Sequence, residues 1–475
     1  MGIFSRRRKA GPAVDGTAPD IVAGSNAEKA HRNTHHLPTY NHNGHKVTKG
    51  ITPQGESGRS WFNPWHFLRI CFRSASRASM VVNVLWPVVP AALAFHYTQS
   101  EFHPLTAFIL NYVAIVPAAN LVGFAGQELA RKMPNKGLGV ILETTLGSVV
   151  EIILFMVLLS QDKFAVIQAA ILGSILATLL LCLGLVFFVG GLKRTEQEFD
   201  EAVSEVGGGL LMTAGLGLII PAAFFNTLKN VEPDATLRAH TLDISRATSV
   251  LLLIAFAIYL FFQIRTHAGI YDSIWEAEEQ RDEDRHDELR KDKLTFTEAV
   301  VATAIAVTLV TFLAINLVKG IDPVIEHHHI SDAFMGLILV PLAEKAAEHL
   351  TAADEAWDDQ MNFALAHVLG ATIQTALFNG PFVVLVGWGL GKHMDLNFEL
   401  FMIVVLILSI LVVGNFLRDG KSNYLEGALC VIVYLIIAMT TFFYPSPPGG
   451  GHAVDGASAS QVSQVVAQQA AKMLR

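Results

Sequence analysis

The chain has 475 residues, of which 52% are hydrophobic and 16% are charged, and its mean hydropathy is +0.43. Soluble globular proteins carry about 25% charged residues, so this composition excludes an ordinary soluble domain and predicts a protein of the lipid bilayer. The formal net charge of −8 averages over both sides of a membrane and predicts nothing by itself.

The sequence contains no motif typical of catalysis. It has no Walker phosphate loop, zinc-protease motif or nucleophile elbow, and no polar segment is long enough to bind a nucleotide. The cysteines Cys71, Cys182 and Cys430 show no spacing that indicates disulfides or a metal knuckle. We therefore expect neither an enzyme nor an ATP-driven pump, no cofactor and no nucleic-acid partner, and the sequence predicts no oligomeric state.

The amino-terminal segment, residues 1–75, is predicted to be a disordered, basic and histidine-rich cytosolic tail. Its first 60 residues are polar and lack the apolar stretch of a cleavable signal peptide. An interfacial stretch is expected near Trp61, Phe62 and Trp65, because tryptophan is enriched at membrane surfaces. A leading transmembrane helix within 76–100 is then expected to serve as the insertion signal.

Eleven apolar runs follow the tail, and each is long enough to cross a bilayer. They are predicted at 79–97, 104–127, 137–160, 164–191, 206–227, 246–264, 295–318, 332–355, 361–390, 398–417 and 423–444. Lysine and arginine are concentrated in every second loop, which by the positive-inside rule places the amino terminus in the cytosol. The loop at 227–245 fits this rule less well, and the carboxyl-terminal tail, 446–475, is predicted on the opposite side.

The charged loop 268–294 separates two groups of spans and is expected in the cytosol. Within it, residues 271–293 include ten acidic and five basic side chains. Two interpretations remain open. The loop is either a solvated amphipathic helix that links two helical bundles or a cytosolic segment that senses cations weakly.

An internal repeat relates the two halves of the chain at a constant offset of 197 residues. The register pairs Glu151 with Glu348, Gly173 with Gly370, and Thr178 with Thr375. The third and eighth spans, which carry the two glutamates, are five spans apart, so the units 101–267 and 295–445 are predicted to cross the membrane in opposite directions. Inverted repeats are typical of secondary transporters, whose substrate site lies near the midplane.

Four acidic residues lie within the predicted repeat spans: Glu143, Glu151, Glu344 and Glu348. A charged side chain inside a spanning helix costs about 2.5–3.5 kcal/mol on insertion scales and therefore indicates function. Glu143 is close enough to a helix end to reach water, whereas Glu151 and Glu348 are not. The spacing of Glu143, Gly147 and Glu151 places them on one helical face. We predict that Glu151 and Glu348 form a transport site for a cation and protons.

Two facing carboxylates suit the exchange of a cation for protons, because burial and mutual repulsion favour their protonated form when no metal is bound. Calcium prefers six to eight oxygen ligands, so Glu151 and Glu348 are predicted to bind it as the transported ion. Further oxygens are expected from the backbone of broken helices and from hydroxyl groups, at Gly147, Ser148, Gly173, Ser174, Gly370 and Thr372. His349, beside Glu348, either relays protons or packs as a buried histidine.

Several stretches of the chain carry a family resemblance, namely Gln168 to Ser174, Phe334 to Leu339 with the later Ala346-Ala347-Glu348-His349, and Asp419 to Gly427. They resemble the cation/proton exchanger family of the calcium/cation antiporter superfamily, which includes fungal and plant vacuolar calcium/proton exchangers. The resemblance covers residues 105–445 and identifies the chain as a divergent, fungal member.

What the resemblance implies is an all-α membrane protein with one leading helix and two inverted five-helix repeats. By the same resemblance, the protein moves calcium from the cytosol into an acidic organelle, expected to be the vacuole, in exchange for protons. The family pattern has Gly-Asn-Ala-x-Glu in the first repeat and Gly-Asn-Ala-Ala-Glu-His in the second.

The sequence departs from this pattern around the acidic pair. Ser148 replaces the first asparagine, Glu143 replaces a further one, and Glu344 and Lys345 replace the glycine and asparagine of the second repeat. Three of these four changes, at Glu143, Glu344 and Lys345, are expected to modify selectivity.

Lys345 is the sharpest change, because its spacing allows it to pair with Glu348 or His349. Alternatively, Glu344 neutralises it. Four glutamates and one lysine leave three negative charges, which is enough for a divalent ion. Three outcomes remain open: exchange of calcium or another divalent ion, altered selectivity for a monovalent ion or manganese, and a transport-inactive relative with a regulatory or scaffolding role.

Overall fold

The fold is known from a computed structural model that describes residues 57, 59, 61–97, 104–133, 136–281, 291–328 and 330–444. The predictions for most of the amino-terminal tail, for the carboxyl-terminal tail and for the middle of the charged loop therefore lie outside the described residues.

Helices account for nearly all of the described chain and follow the apolar runs of the sequence. In chain order they are α1 (Pro64–Arg73), α2 (Arg77–Val82), α3 (Val88–Tyr97), α4 (Pro104–Ala130), α5 (Lys136–Gly147), α6 (Val149–Ser160), α7 (Phe164–Leu176), α8 (Leu183–Lys193), α9 (Glu201–Leu228), α10 (Asp234–Phe261), α11 (Ala268–Arg281), α12 (Phe296–Lys319), α13 (Ile321–His328), α14 (Asp332–Phe334), α15 (Val340–Trp357), α16 (Met361–Gln374), α17 (Gly380–Gly389), α18 (Leu400–Phe416) and α19 (Tyr424–Phe442).

Wider π-helical turns join several of these helices without a break in direction. They are Ala177–Cys182 between α7 and α8, Met335–Leu339 between α14 and α15, and Thr375–Asn379 between α16 and α17. Such turns shift the register of a helix and are frequent at functional sites. Two of the three lie at equivalent places in the repeat, next to Thr178 and Thr375.

Within the described residues, eight helices are long and apolar enough to cross a membrane, or nine if the bent pair α5–α6 counts as one span. Helix α18 is apolar but shorter. The charged helix Asp332–Trp357 falls at the predicted eighth span. The helical membrane architecture is thus confirmed, whereas the number of eleven spans stays a prediction.

The end of the predicted tail is ordered. Helix α1 is capped by the Asn63 side chain, which accepts hydrogen bonds from the backbone of Trp65 and His66. Trp65 remains 77% exposed, in keeping with the predicted interfacial stretch. The Arg59 guanidinium lies 3.1 Å from the Glu298 carboxylate at the start of α12, which ties this segment to the helical bundle. The predicted disorder therefore does not extend to residues 64–73.

Two predicted loops are helical. Helix α10 begins at Asp234 and so includes much of the loop expected at 227–245. Helix α11, in the charged loop, packs on the start of α16 through Trp275 and Phe363, whose ring centroids are 4.9 Å apart. Glu278 of α11 accepts two hydrogen bonds of 3.0 Å from Asn362. This part of the loop is thus a helix with one exposed and one docked face, while its roles as a linker or a cation sensor stay predictions.

A short antiparallel pair of strands connects two distant loops. Strand β1 (Gln197–Glu198) pairs with β2 (Lys421–Ser422). The sequence places both loops in the cytosol, and this pairing shows that they lie on the same side of the bundle.

Helix α7 and the π-helical turn Met335–Leu339 cross at very short range in the centre of the bundle. A Cβ atom added to Gly173 would overlap the carbonyl oxygen of Leu337. One added to Gly336 would lie 2.6 Å from the Cβ of Ala169. Small residues permit such close approach of helices in membranes, and here the crossing brings the two repeat units together beside the acidic residues.

Candidate functional site

The paired glutamates of the repeat converge in the middle of the helical bundle. Glu151 lies in the first turn of α6, where the helix dipole favours a negative charge, and its side chain is fully buried. Glu348 lies on α15, and its side chain is 26% exposed. Helix packing thus brings together the two acids that the repeat register predicted as one site.

Glu151 is held by polar side chains from the π-helical turn Thr375–Asn379. The Thr375 hydroxyl donates to the carboxylate at 3.0 Å from Oε1 and 2.9 Å from Oε2. The Asn379 amide donates to Oε2 at 2.9 Å. Hydrogen bonds to a charged acceptor stabilise the ionised carboxylate and fix its orientation.

Lys345 bridges the two glutamates. Its Nζ lies 3.3 Å from Oε2 of Glu151 and 3.3 Å from Oε2 of Glu348. The lysine side chain is only 4% exposed, so its charge depends on these two carboxylates for stabilisation. The predicted pairing with Glu348 is present, and the pairing with His349 is not.

Glu344 does not neutralise Lys345 in this structure. Both of its carboxylate oxygens are buried and have no hydrogen-bond partner among the described residues. The same is true of the Ser174 hydroxyl, which lies beside Glu344 but outside hydrogen-bonding geometry. Glu344 is nevertheless within electrostatic range of Glu151, Lys345 and Glu348. The site therefore contains a third, unpaired carboxyl group.

The third span is broken between α5 and α6, which enclose an angle of 45°. The break follows Gly147, and Ser148 turns its hydroxyl back to the Thr145 carbonyl at 3.3 Å. The Gln374 amide reaches this break from α16 and donates to the Thr144 carbonyl at 2.6 Å and to the Ser148 hydroxyl at 2.7 Å. The expected break in the helix at Gly147 is therefore present. Glu143 and Glu151 nevertheless both face the segment 340–379, Glu143 towards Glu355 and His367 and Glu151 towards Lys345 and Thr375.

The second expected break, at Gly173, is not present, because α7 is continuous there. Gly173 instead allows the close crossing with Leu337. Its repeat partner Gly370 has open space on its side-chain face, with no described atom within 4 Å of an added Cβ. The Thr372 hydroxyl donates to the Val368 carbonyl of its own helix at 2.7 Å and does not point to the glutamates.

His349 is 4% exposed, and its Nε2 has no hydrogen-bond partner among the described residues. This position fits the packed histidine better than a relay that is hydrogen-bonded to Glu348.

Glu143 belongs to a second polar cluster, which adjoins the central site through His367, because Glu348 also acts on that histidine. Glu143 is exposed and interacts electrostatically with Arg131, His367 and Glu355. His367 Nδ1 lies 3.6 Å from the Glu355 carboxylate. Glu143 is therefore not brought to Lys345, and the central site contains three glutamates rather than four.

Within the described part of the chain, no three His, Cys, Asp or Glu side chains are placed to hold a metal ion. At the predicted site, the Lys345 ammonium lies between Glu151 and Glu348. The carboxylates and the neighbouring oxygens otherwise have the hard-ligand chemistry that calcium prefers.

Thr375, Asn379 and Gln374 contact the site but were not predicted to do so. A signal existed for each, because all three are polar residues within an apolar run, and Thr375 also occupies the repeat register. Their roles depend on the crossing of α16 with α6, which helical spacing alone does not show.

The chain matches the protein family described as sodium/calcium exchanger protein over residues 103–265 and 298–443. The vacuolar cation/proton exchanger 2 of Arabidopsis thaliana is 34% identical over 372 residues, which cover 78% of this chain and 82% of the relative. The vacuolar calcium ion transporter of Schizosaccharomyces pombe is 32% identical, with 77% of this chain and 86% of the relative covered. The Ca2+/H+ antiporter of Synechocystis is 32% identical, with 78% and 99% covered.

Solved structures agree with these relatives. The structure of native YfkE has a TM-score of 0.63 and 26% identity and covers 77% of this chain and 100% of the other. The H+/Ca2+ exchanger CAX has a TM-score of 0.52 with 13% identity, over 77% of this chain and 92% of the other, and so supports the fold alone.

Proposed function

Because the chain belongs to the sodium/calcium exchanger protein family, and within it to the cation/proton exchangers, we propose that it is a proton-coupled antiporter whose cargo is calcium. The relatives are transporters, and two of those compared carry calcium in their names.

The observation that carries the proposal is the convergence of Glu151 and Glu348 from separate helices on one point, 3.3 Å from each. A cation that occupies this point is bound by carboxylates of both repeat units. Protons compete with the cation for the same oxygens, so that either the cation or protons occupy the pair. Antiport results when the site changes sides only in an occupied state.

Alternating access is supported by the difference in exposure between the two acids. The Glu348 side chain is 26% exposed, whereas the Glu151 side chain is fully buried. We propose that the repeat units 101–267 and 295–445, with the leading helix before them, move against each other at the crossing of Gly173 and Leu337. The acidic residues near Glu143 concentrate cations around them.

We propose the vacuolar membrane as the location, with the amino terminus in the cytosol. The names of the plant and yeast relatives support the organelle. The basic residues of the loops joined by β1 and β2 support the orientation. The transported calcium then moves from the cytosol into the vacuole against protons.

A second candidate function is exchange of a different cation, either monovalent or manganese, and a third is a transport-inactive role. Lys345 favours both alternatives, because it places a positive charge where the cargo binds.

The proposal is tested with the purified full chain in vesicles whose interior is acidic. Addition of calcium outside should give calcium uptake together with loss of internal protons. Glu151→Gln and Glu348→Gln should each abolish both fluxes, because either change removes one of the two charges that bind the cation. Manganese, sodium and potassium are tested in the same vesicles.

A matched control is Glu196→Gln, since Glu196 is an exposed acid whose ion pair with Lys421 lies at the edge of the bundle. Its fluxes should equal those of the unmodified protein. Vesicles that move none of the four cations would contradict the transport function and favour a scaffold.

A further inference from the structure

We propose that Lys345 is a specificity-determining residue of the site. Its ammonium group occupies the position between Glu151 and Glu348 and moves to Glu344 when the transported cation binds there. The inference rests on the proposed exchange function and deepens it.

The first step is the position of the ammonium group. Its nitrogen is 3.3 Å from one carboxylate oxygen of each glutamate. A calcium ion shared by two carboxylates lies about 2.3–2.6 Å from their oxygens, which is the same point between them. The lysine and the cargo therefore exclude each other from that point.

The second step is that the displaced ammonium must stay inside the protein. The Lys345 side chain is 4% exposed and is attached to the helix that carries Glu348. Leaving a buried ammonium without a counter-charge is strongly unfavourable, so displacement requires another carboxylate within reach.

Glu344 meets that requirement. Among the described residues, the carboxylates that act electrostatically on Lys345 are Glu348, Glu151 and Glu344. The first two are given up to the cargo. Both oxygens of Glu344 are buried and lack hydrogen-bond partners, which leaves them available to accept the ammonium. In this second position of the lysine, the buried Glu344 carboxylate gains the partner that it lacks when Lys345 bridges Glu151 and Glu348.

The charges then define the class of cargo. Among Lys345 and the three carboxylates that act on it, all in their ionised form, three glutamates and one lysine leave two negative charges. When Lys345 pairs with Glu344, that pair is neutral, and Glu151 with Glu348 present both charges to the cation. The arrangement matches one divalent ion rather than a monovalent one.

The test is a double-mutant cycle on cation affinity, measured by calorimetric titration of calcium into the purified full chain in detergent. The variants are Lys345→Met, Glu344→Gln and the double variant. Lys345→Met should raise calcium affinity by about tenfold or more, because it removes the competitor. Glu344→Gln should lower it by about tenfold when Lys345 is present and by less than about threefold when it is Met.

A matched control is Lys132→Met, which removes another buried lysine, 3.5 Å from Glu128 and outside the site. Its calcium affinity should be unchanged. Lys345→Gln is made as a second variant, so that a folding defect of the methionine protein does not decide the result.

An unchanged or lower affinity in Lys345→Met and Lys345→Gln would overturn the competition. If Glu344→Gln lowers calcium affinity equally with Lys345 and with Lys345→Met, Glu344 binds the cation itself. That result would overturn its role as the acceptor of the Lys345 ammonium. If the vesicles exchange calcium for protons but calcium affinity is the same with and without Lys345, this inference fails and the proposed function stands. If calcium affinity changes as expected in the variants but the vesicles show no exchange, the proposed function fails and this inference about the binding site stands.

Discussion

The Thr375 hydroxyl lies 3.0 Å and 2.9 Å from the two carboxylate oxygens of Glu151, across the interface between α16 and α6. Thr375 therefore positions an acid that is contributed by the other half of the chain. Asn379 contacts the same carboxylate one turn later, at 2.9 Å.

We predict that Thr375→Val reduces calcium uptake at subsaturating calcium by about tenfold or more, because a hydrogen bond to a charged group contributes about 1.5–3 kcal/mol. Asn379→Leu should act in the same direction. The measurement is the initial rate of uptake into vesicles as a function of calcium concentration. Thr303→Val is the control, since the Thr303 hydroxyl donates to the Ala299 carbonyl of its own helix. Equal rates for Thr375→Val and this control would exclude a positioning role.

Gln374→Ala should loosen the break between α5 and α6. The amide donates to the Thr144 carbonyl and the Ser148 hydroxyl, and its removal loses two hydrogen bonds that contribute about 0.5–1.5 kcal/mol each. Hydrogen exchange of residues 144–150 should accelerate, and the unfolding temperature should fall. Unchanged exchange in this segment would show that the break is held by other contacts.

The equivalent glycines of the repeat should differ sharply in their tolerance of alanine. Gly173→Ala forces α7 away from Leu337, and overpacking of this kind costs about 1–3 kcal/mol. Gly370→Ala meets open space and should stay within about 0.5 kcal/mol of the parent. The unfolding temperature and the calcium uptake of each variant measure these effects. A similar decrease in both variants would contradict the expected difference between Gly173 and Gly370.

Asp395, in the loop between α17 and α18, should make stability depend on pH. Burial raises its pKa above the ordinary 3.8, although hydrogen bonds from Asn397 and Gln168 and the charge of Arg238 oppose the shift. A raised pKa means that the folded protein binds this proton more tightly than the unfolded chain does. Stability contributed by Asp395 is therefore full below the ordinary pKa and is lost as pH rises through the raised one.

Asp395→Asn keeps an oxygen acceptor for Gln168 and Asn397 but removes the titration. Unfolding temperatures of the two proteins, compared at several pH values from 3 to 7, should diverge in favour of the asparagine variant as pH rises. A constant difference over this range would mean that the pKa of Asp395 is the same in the folded protein and in the unfolded chain.

Much of the fold follows from the pattern of apolar runs, because only helices satisfy their backbone groups within a bilayer. The loop at 227–245 was mistaken because charged residues such as Arg238 occupy the first turns of α10, and hydropathy does not distinguish a polar helical end from a loop. The docking of α11 was missed for a similar reason: the acidic excess concealed one buried carboxylate, Glu278.

The site was predictable to the extent that the repeat made it so. The offset of 197 residues identified Glu151 and Glu348 as partners without any knowledge of the packing. Helical spacing indicated the contact of Lys345 with Glu348, but its contact with Glu151 depends on a crossing between distant helices. Glu143 could not be separated from the site by sequence, since its neighbours Glu355 and His367 are known only from the packing of α5.

The two glutamates lie on helices of different continuity. Glu348 belongs to a helix that continues without a break to Trp357, so we expect movement of that helix end to be transmitted to the acid. Glu151 follows the 45° bend between α5 and α6, and we expect this bend to reduce the transmission of movement from α5 to the acid. We therefore expect a displacement of the Trp357 end of α15 to change the distance between the Glu348 and Glu151 carboxylates, so that the loops at that end can control this distance.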